Sequence, residues 1–117
     1  MYGELEQALA LFDTTVDSFH RAGNIPNLAA TLAYLAVFFD RFERPEIAAT
    51  VYGASTRHGI STMVMDLPPV VDHLCSVLGQ TSFDRCVAIG AAMAPADAVA
   101  YARDQIQAAR RQITDAT

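Results

Sequence analysis

The chain has 117 residues, of which 52% are hydrophobic and 18% are charged, a composition that supports one buried core and excludes a disordered tail. All eight basic residues are arginine, and with thirteen Asp and Glu residues the net charge is -5 at pH 7. This acidic balance argues against direct nucleic-acid binding by the chain. The absence of lysine excludes phosphate-loop and Schiff-base enzymes.

The first predicted helix runs from Glu4 to Arg21 and ends before Gly23, a residue suited to the left-handed position after a helix. Apolar side chains at spacings of three and four predict one buried face, formed by Leu5, Leu9, Phe12, Val16 and Phe19. A solvent-facing charged stripe is expected for two carboxylate pairs, Glu4/Glu6 and Asp13/Asp17.

The second predicted helix begins at Pro26, whose fixed φ suits a first helical turn, and continues to about Phe42. It is apolar on almost every side, which predicts a central position in the fold. Its main stripe consists of Leu28, Leu32, Leu35, Ala36 and Phe39, widened by Tyr34, Val37, Phe38 and Phe42. A third helix is predicted from Pro45 to about His58.

The second half of the chain begins with a predicted loop over residues 59–68, which lacks apolar periodicity and runs into Pro68-Pro69. Three shorter helices are predicted after it, at about 69–78, 82–92 and 95–113. Gly79 and the Ala94-Pro95 junction separate these helices, and Ser82 is the expected N-cap of the middle one.

Two segments of the chain match at a period of 40 residues. The first is 3–8 followed by Phe12, and the second is 43–48 followed by Tyr52. A small residue where helices cross and an aromatic one turn later are typical of tetratricopeptide-like hairpins, although Glu43 stands where such repeats carry glycine. We therefore expect an all-α fold of about six helices with right-handed solenoid-type packing. One domain should span 1–117, with repeat-like hairpins over 3–58, the loop over 59–68 and C-terminal helices over 69–117.

The chain also resembles one bacterial protein family, over roughly residues 3 to 106. The residues that carry the resemblance are Gly53-Ala54, Leu67-Pro68-Pro69, Leu78-Gly79, Phe83 and the run from Gly90 to Val99. In order and spacing they are similar to the helical-repeat region of LuxR/MalT-type ATP-dependent transcriptional regulators, where a comparable segment is written G-x-A-L-S-x-x-E-A-V. Met93, Ala94 and Asp97 replace the Leu, Ser and Glu of that segment.

The resemblance implies a role in protein contacts and carries over no catalytic residue. In that family the repeat region belongs to a sensor and ATPase assembly, and it binds a partner, an inducer or another subunit. The expected activity is therefore non-catalytic protein–protein interaction or oligomerisation within a transcriptional regulator.

Side chains with catalytic or metal-binding chemistry are few and scattered. His20, His58 and His73 lie on different predicted helices, so no metal site and no cofactor are expected. A hydrolase set would have to come from Ser55, Ser61, Thr62, His58 and Asp66, which lack a nucleophile elbow and an oxyanion-hole motif. Cys75 and Cys86 are expected as reduced thiols, because disulfide scaffolds carry many more cysteines.

The candidate interface lies on the first helix, which looks like the second half of a repeat whose first helix is missing. An apolar face without a covalent partner is then expected, and a homodimer or another protein would cover it. The candidate interface residues are Leu5, Leu9, Leu11 and Phe12.

A possible ligand groove provides the alternative function, small-molecule sensing. Tyr34, Phe38 and Tyr52 would line the groove, and an apolar lid over Met63–Leu67 would close it. The N-terminus lacks the basic region of a signal peptide, and the longest apolar run is too short to span a bilayer. A cytoplasmic location without membrane contact is therefore expected.

Overall fold

Six α-helices make up almost all of the described backbone. The computed structural model describes residues 2–57 and 67–116, and no strand occurs within these two ranges. The helices are α1 (Tyr2–Arg21), α2 (Ile25–Arg41), α3 (Pro45–Arg57), α4 (Leu67–Leu78), α5 (Gln80–Ala91) and α6 (Pro95–Ala116). The all-α fold with about six helices is thus confirmed. The predicted end of the loop at residue 68 is wrong because α4 already begins at Leu67, and 58–66 lie outside the described residues.

The first two helices end in the same backbone motif, with one residue in the left-handed region. After α1 this residue is Gly23 (φ 68°), and after α2 it is Glu43 (φ 61°). In both turns the next amide donates to a carbonyl five residues back, from Asn24 to Phe19 at 2.9 Å and from Arg44 to Phe39 at 2.8 Å. These are the bonds of a Schellman motif, which usually places glycine in the left-handed position.

Two of the helix starts test predictions made from the sequence. The Asn24 side chain accepts a hydrogen bond from the backbone N–H of Asn27 at 3.4 Å, and Pro26 lies in the first turn of α2 as predicted. The prediction for Ser82 is wrong, because α5 begins at Gln80 with Gly79 as its N-cap. The left-handed φ of 81° at Gly79 ends α4 and starts α5 with a single linking residue, which leaves no room for a loop before Ser82.

The second helix lies in the centre of the molecule, as its apolar sequence predicts. It packs against α1, α3 and α4. Nine of its residues are buried: Leu28, Ala29, Thr31, Leu32, Ala33, Leu35, Ala36, Val37 and Phe39. Helix α2 therefore anchors the hairpin partners on either side of it.

Helices α3 and α5 cross with their backbones close together, and a glycine on each helix allows this approach. A Cβ atom at Gly53 would collide with the carbonyl of Val87, and one at Gly90 would collide with the carbonyl of Thr50. Because the obstructing atoms belong to the backbone, they cannot rotate away as a flexible side chain would. This contact is the most extensive between any two described helices.

The last helix packs against the first helix, so the two ends of the helix order are in contact. Helix α6 packs mainly on α1 and only slightly on α3. The buried apolar face of α6 consists of Ala98, Val99, Ala102, Ile106, Ala109 and Ile113. In a solenoid each repeat contacts only its neighbours, so a contact between first and last helices differs from that arrangement. Solenoid-type packing is not confirmed.

Candidate interaction surface

An apolar groove lies between α1 and α2 on the outside of the molecule. It has a volume of about 440 Å³ and is lined by Ala8, Leu11, Phe12, Thr15, Thr31, Tyr34, Val37, Phe38 and Arg41. Two large apolar side chains on its edges are mainly exposed, Leu11 at 68% and Tyr34 at 51%. Exposed side chains of this size around a concave apolar surface are typical of a contact or ligand site.

The base of the groove is an aromatic cluster that links the two helices. The Phe12 ring meets the Phe38 ring edge-on at a centroid distance of 5.7 Å, and Phe38 stacks on Phe42 at 5.8 Å. The guanidinium of Arg44 lies 5.3 Å from the centre of the Phe42 ring, within the range of a cation–π contact. These ring contacts restrict the rotamers at the base, so the groove has a preformed shape.

Charge is almost absent from this groove. Among the lining side chains the one charged group is Arg41, at the end of α2.

The exposed residues of the described part of α1 form the outer face of this helix and recur at spacings of three and four, as Glu4, Gln7, Leu11, Thr14, Ser18 and Arg21. This outer face has an apolar residue near its centre, uncharged polar residues beside it, and one charge at each end.

The remaining acids of α1 face α6, which corrects the expected solvent-facing carboxylate stripe. Arg103 donates from Nε to Asp13 at 2.7 Å and from Nη1 to Asp17 at 3.2 Å. Two turns further along α6, Arg110 Nη2 lies 2.6 Å from Glu6 Oε1. The sequence pattern predicts a solvent-facing Asp13, whereas only 15% of its side chain is exposed, because α6 covers it.

The same ion pairs raise the pKa of both arginines. The hydrogen bond to Asp13 raises the pKa of Arg103, and the bond to Glu6 raises the pKa of Arg110. An arginine side chain is charged throughout the physiological pH range in any case, so these shifts leave the charge of both groups unchanged. We call this set of contacts between α1 and α6 the ionic seam.

Of the four predicted interface residues, two line the groove and two pack into or against the core. Leu11 and Phe12 line the groove. Leu5 is half-buried against the core, and Leu9 has no exposed surface. The expectation of an uncovered face is therefore wrong for Leu9, because the chain covers that side of α1 itself.

Of the three predicted groove residues, two line the groove and one does not. Tyr34 and Phe38 line the groove together with Leu11 and Phe12, so two sets that were predicted independently meet at one place. Tyr52 does not contribute, since its ring stacks on Phe83 with a centroid distance of 6.1 Å. Tyr52 lies on α3 and Phe83 on α5, and both pack against the core.

Candidate catalytic residues are not brought together in the described parts of the chain. His73 Nδ1 lies 2.6 Å from Asp40 Oδ1, a contact that joins α4 to α2. Ser55 is buried and donates to the carbonyl of Tyr52 at 2.6 Å. The other members of the hydrolase set fall in 58–66, outside the described residues. No group of His, Cys, Asp and Glu that could hold a metal ion occurs within the described residues, where Cys75 and Cys86 are free thiols.

The ionic seam was missed, although the sequence carries a signal for it. Glu6 and Asp13 are seven residues apart, and so are Arg103 and Arg110. Equal spacing of two turns on each helix allows both pairs to form at once when the helices are antiparallel. These two helices are about ninety residues apart in the sequence, so the equal spacing predicts ion pairs only once the two helices are known to pack together.

Comparison with known proteins does not assign the chain to a family. No family model, no curated protein and no solved structure matches the chain. Within the described residues, no helix is both long enough and apolar enough to cross a membrane.

Proposed function

We propose that the chain is a non-catalytic protein–protein interaction domain whose contact surface is the groove between α1 and α2. The partner is a second copy of the chain, so that the functional unit is a homodimer. One observation carries the proposal: Leu11 and Tyr34 are both more than half exposed on the edges of one preformed apolar groove. The resemblance to LuxR/MalT-type regulators supports the same role and suggests a cytoplasmic transcriptional regulator as its setting.

The distribution of charge over the surface allows a second copy to bind at the groove, although the net charge opposes it elsewhere. Each chain has a net charge of -5, so two copies repel each other over most orientations. Three of the acids on α1 are directed at α6 through Arg103 and Arg110, which leaves the groove face nearly free of negative charge. Depletion of charge and enrichment in aromatic groups are also what distinguishes the centre of a protein interface.

The test is the solution mass of the protein by light scattering over a series of concentrations. We expect the wild type to approach the mass of a dimer as its concentration rises. Leu11→Asp and Tyr34→Asp should each remain monomeric, because a carboxylate buried in an apolar contact is strongly unfavourable. Circular dichroism should show unchanged helicity, since both positions are largely exposed.

The matched control is Ile89→Asp on α5, a position that is exposed to a similar degree at 52% but lies outside the groove. This variant should dimerise like the wild type. A monomeric wild type at every concentration would overturn the homodimer, and so would dimers of Leu11→Asp and Tyr34→Asp with wild-type affinity.

Small-molecule sensing is the second candidate, and the size of the groove favours it. Its volume of about 440 Å³ lies within the range of about 300–1,000 Å³ that is usual for ligand pockets. Arg41 would attract an acidic group on an apolar ligand. A rise in melting temperature with 2-naphthoate, lost in Tyr34→Ala, would support this function over dimerisation. Of the predicted lid, residues 63–66 lie outside the described residues, and Leu67 is the first residue of α4.

A further inference from the structure

The outer face of α1 has a charge pattern that is complementary to itself in one orientation. Glu4 lies near its beginning and Arg21 at its end, with Leu11 between them. No other exposed residue of the described part of α1 is charged. Two such faces in parallel would bring Glu4 against Glu4 and Arg21 against Arg21. Two antiparallel faces would bring opposite charges together at both ends.

We infer that two copies of the chain pair through antiparallel α1 helices, with the twofold axis beside Leu11. This inference rests on the proposed homodimer and specifies its geometry. In this register residue i lies opposite residue 22 - i of the partner, so Leu11 faces its own copy and Glu4 faces Ser18. Arg21 of the partner is one turn beyond Ser18, about 4.5 Å along the axis, within reach of the Glu4 carboxylate.

The same register places apolar and uncharged groups in the centre of the contact. Each Leu11 enters the groove of the other copy, beside Tyr34, where it removes apolar surface from water. Thr14 adds little desolvation cost, because its hydroxyl already donates to the carbonyl of Ala10 at 3.1 Å. Antiparallel helices also oppose their dipoles favourably. The twofold symmetry repeats every contact, which is the usual form of a homodimer.

Cysteine cross-linking tests the axis. Under mild oxidation Leu11→Cys should form a covalent dimer, because the two introduced thiols meet at the axis. Ser18→Cys alone should not, since its own copy lies about 21 Å away along the helix. A mixture of Glu4→Cys and Ser18→Cys should cross-link, whereas each alone should not. The wild type, oxidised in parallel, controls for Cys75 and Cys86.

Charge reversal tests the ends of the helices. Glu4→Arg and Arg21→Glu should each weaken the dimer by about three- to tenfold, as expected for exposed ion pairs formed twice. The double variant should restore the wild-type affinity, because it exchanges the two charges without removing either. Arg21 also has a weak contact with Asp17 of its own helix, at 3.5 Å, which the double variant loses as well.

The outcomes separate this inference from the proposed function. A dimer by light scattering without a Leu11→Cys cross-link would overturn the antiparallel α1 pairing and leave the homodimer intact. A Ser18→Cys cross-link as efficient as that of Leu11→Cys would overturn the register. A protein that stays monomeric would overturn both proposals together.

Discussion

Glu43 occupies a backbone conformation that glycine adopts at the corresponding point of the preceding turn. Both residues follow a helix with positive φ, 61° at Glu43 and 68° at Gly23. In the left-handed region the Cβ of an L-residue crowds its own carbonyl, at a cost of roughly 1–2 kcal/mol. The repeat pattern had already marked position 43 as the place of a missing glycine.

Replacing this residue by glycine should therefore stabilise the protein. We expect Glu43→Gly to raise the free energy of unfolding by about 0.5–1 kcal/mol, since relief of strain exceeds the entropy gained by the unfolded chain. Urea denaturation followed by circular dichroism measures this change.

Glu43→Ala is the control, because it removes the same carboxylate but retains a Cβ. Its stability should stay near that of the wild type. If alanine stabilises as much as glycine, the effect comes from the lost charge and the argument from backbone strain is wrong.

At the scale of helices, the crossing of α3 and α5 depends on two glycines. Helix propensity favours alanine over glycine by about 0.5–1 kcal/mol. At Gly53 and Gly90, however, a Cβ would run into backbone carbonyls of the opposite helix. The two effects have opposite signs, so the sign of the measured change decides which one prevails.

We expect Gly90→Ala to lower the free energy of unfolding by about 1–3 kcal/mol, the usual cost of overpacking. Thermal and urea denaturation both measure this loss. Thr81→Ala, exposed on the same helix, should change stability by no more than about 0.5 kcal/mol. A stabilised Gly90→Ala would mean that the helices separate easily at this crossing.

At the scale of the whole molecule, the main feature is the packing of the last helix, α6, against the first helix, α1. The described chain measures 35 × 35 × 24 Å, and its first and last helices pack together. An apolar face of α6 buries against α1, and the ionic seam runs beside it. Hydrophobic contacts supply the affinity, while the paired charges select the register.

Salt should weaken this seam selectively. Arg103→Ala should reduce stability at low ionic strength by less than about 1 kcal/mol, as for exposed ion pairs. At 1 M NaCl, where the Debye length is about 3 Å, most of this difference should disappear. Denaturation at both salt concentrations is the measurement. Arg111→Ala, exposed on the same helix, should show neither effect, and a salt-independent loss in Arg103→Ala would point to packing instead.

The sequence by itself determined the helical class, the order of the helices and most of their ends. Three local signals can be recognised without knowledge of the fold, because each acts within a few residues: apolar spacing, proline at helix starts and glycine after helices. They predicted Pro26 in the first turn of α2 and the left-handed Gly23. They failed at Ser82, where a single residue, Gly79, links two helices.

Only the tertiary structure decided which apolar surfaces remain open. Leu9 is buried, α6 pairs with Glu6, Asp13 and Asp17 of α1, and the Tyr52 ring stacks on Phe83. Leu11, Phe12, Tyr34 and Phe38 are left around one groove. A helix face has the same periodicity whether the same chain or a partner covers it. The contact that distinguishes these cases joins residues about ninety positions apart, beyond the reach of any local pattern.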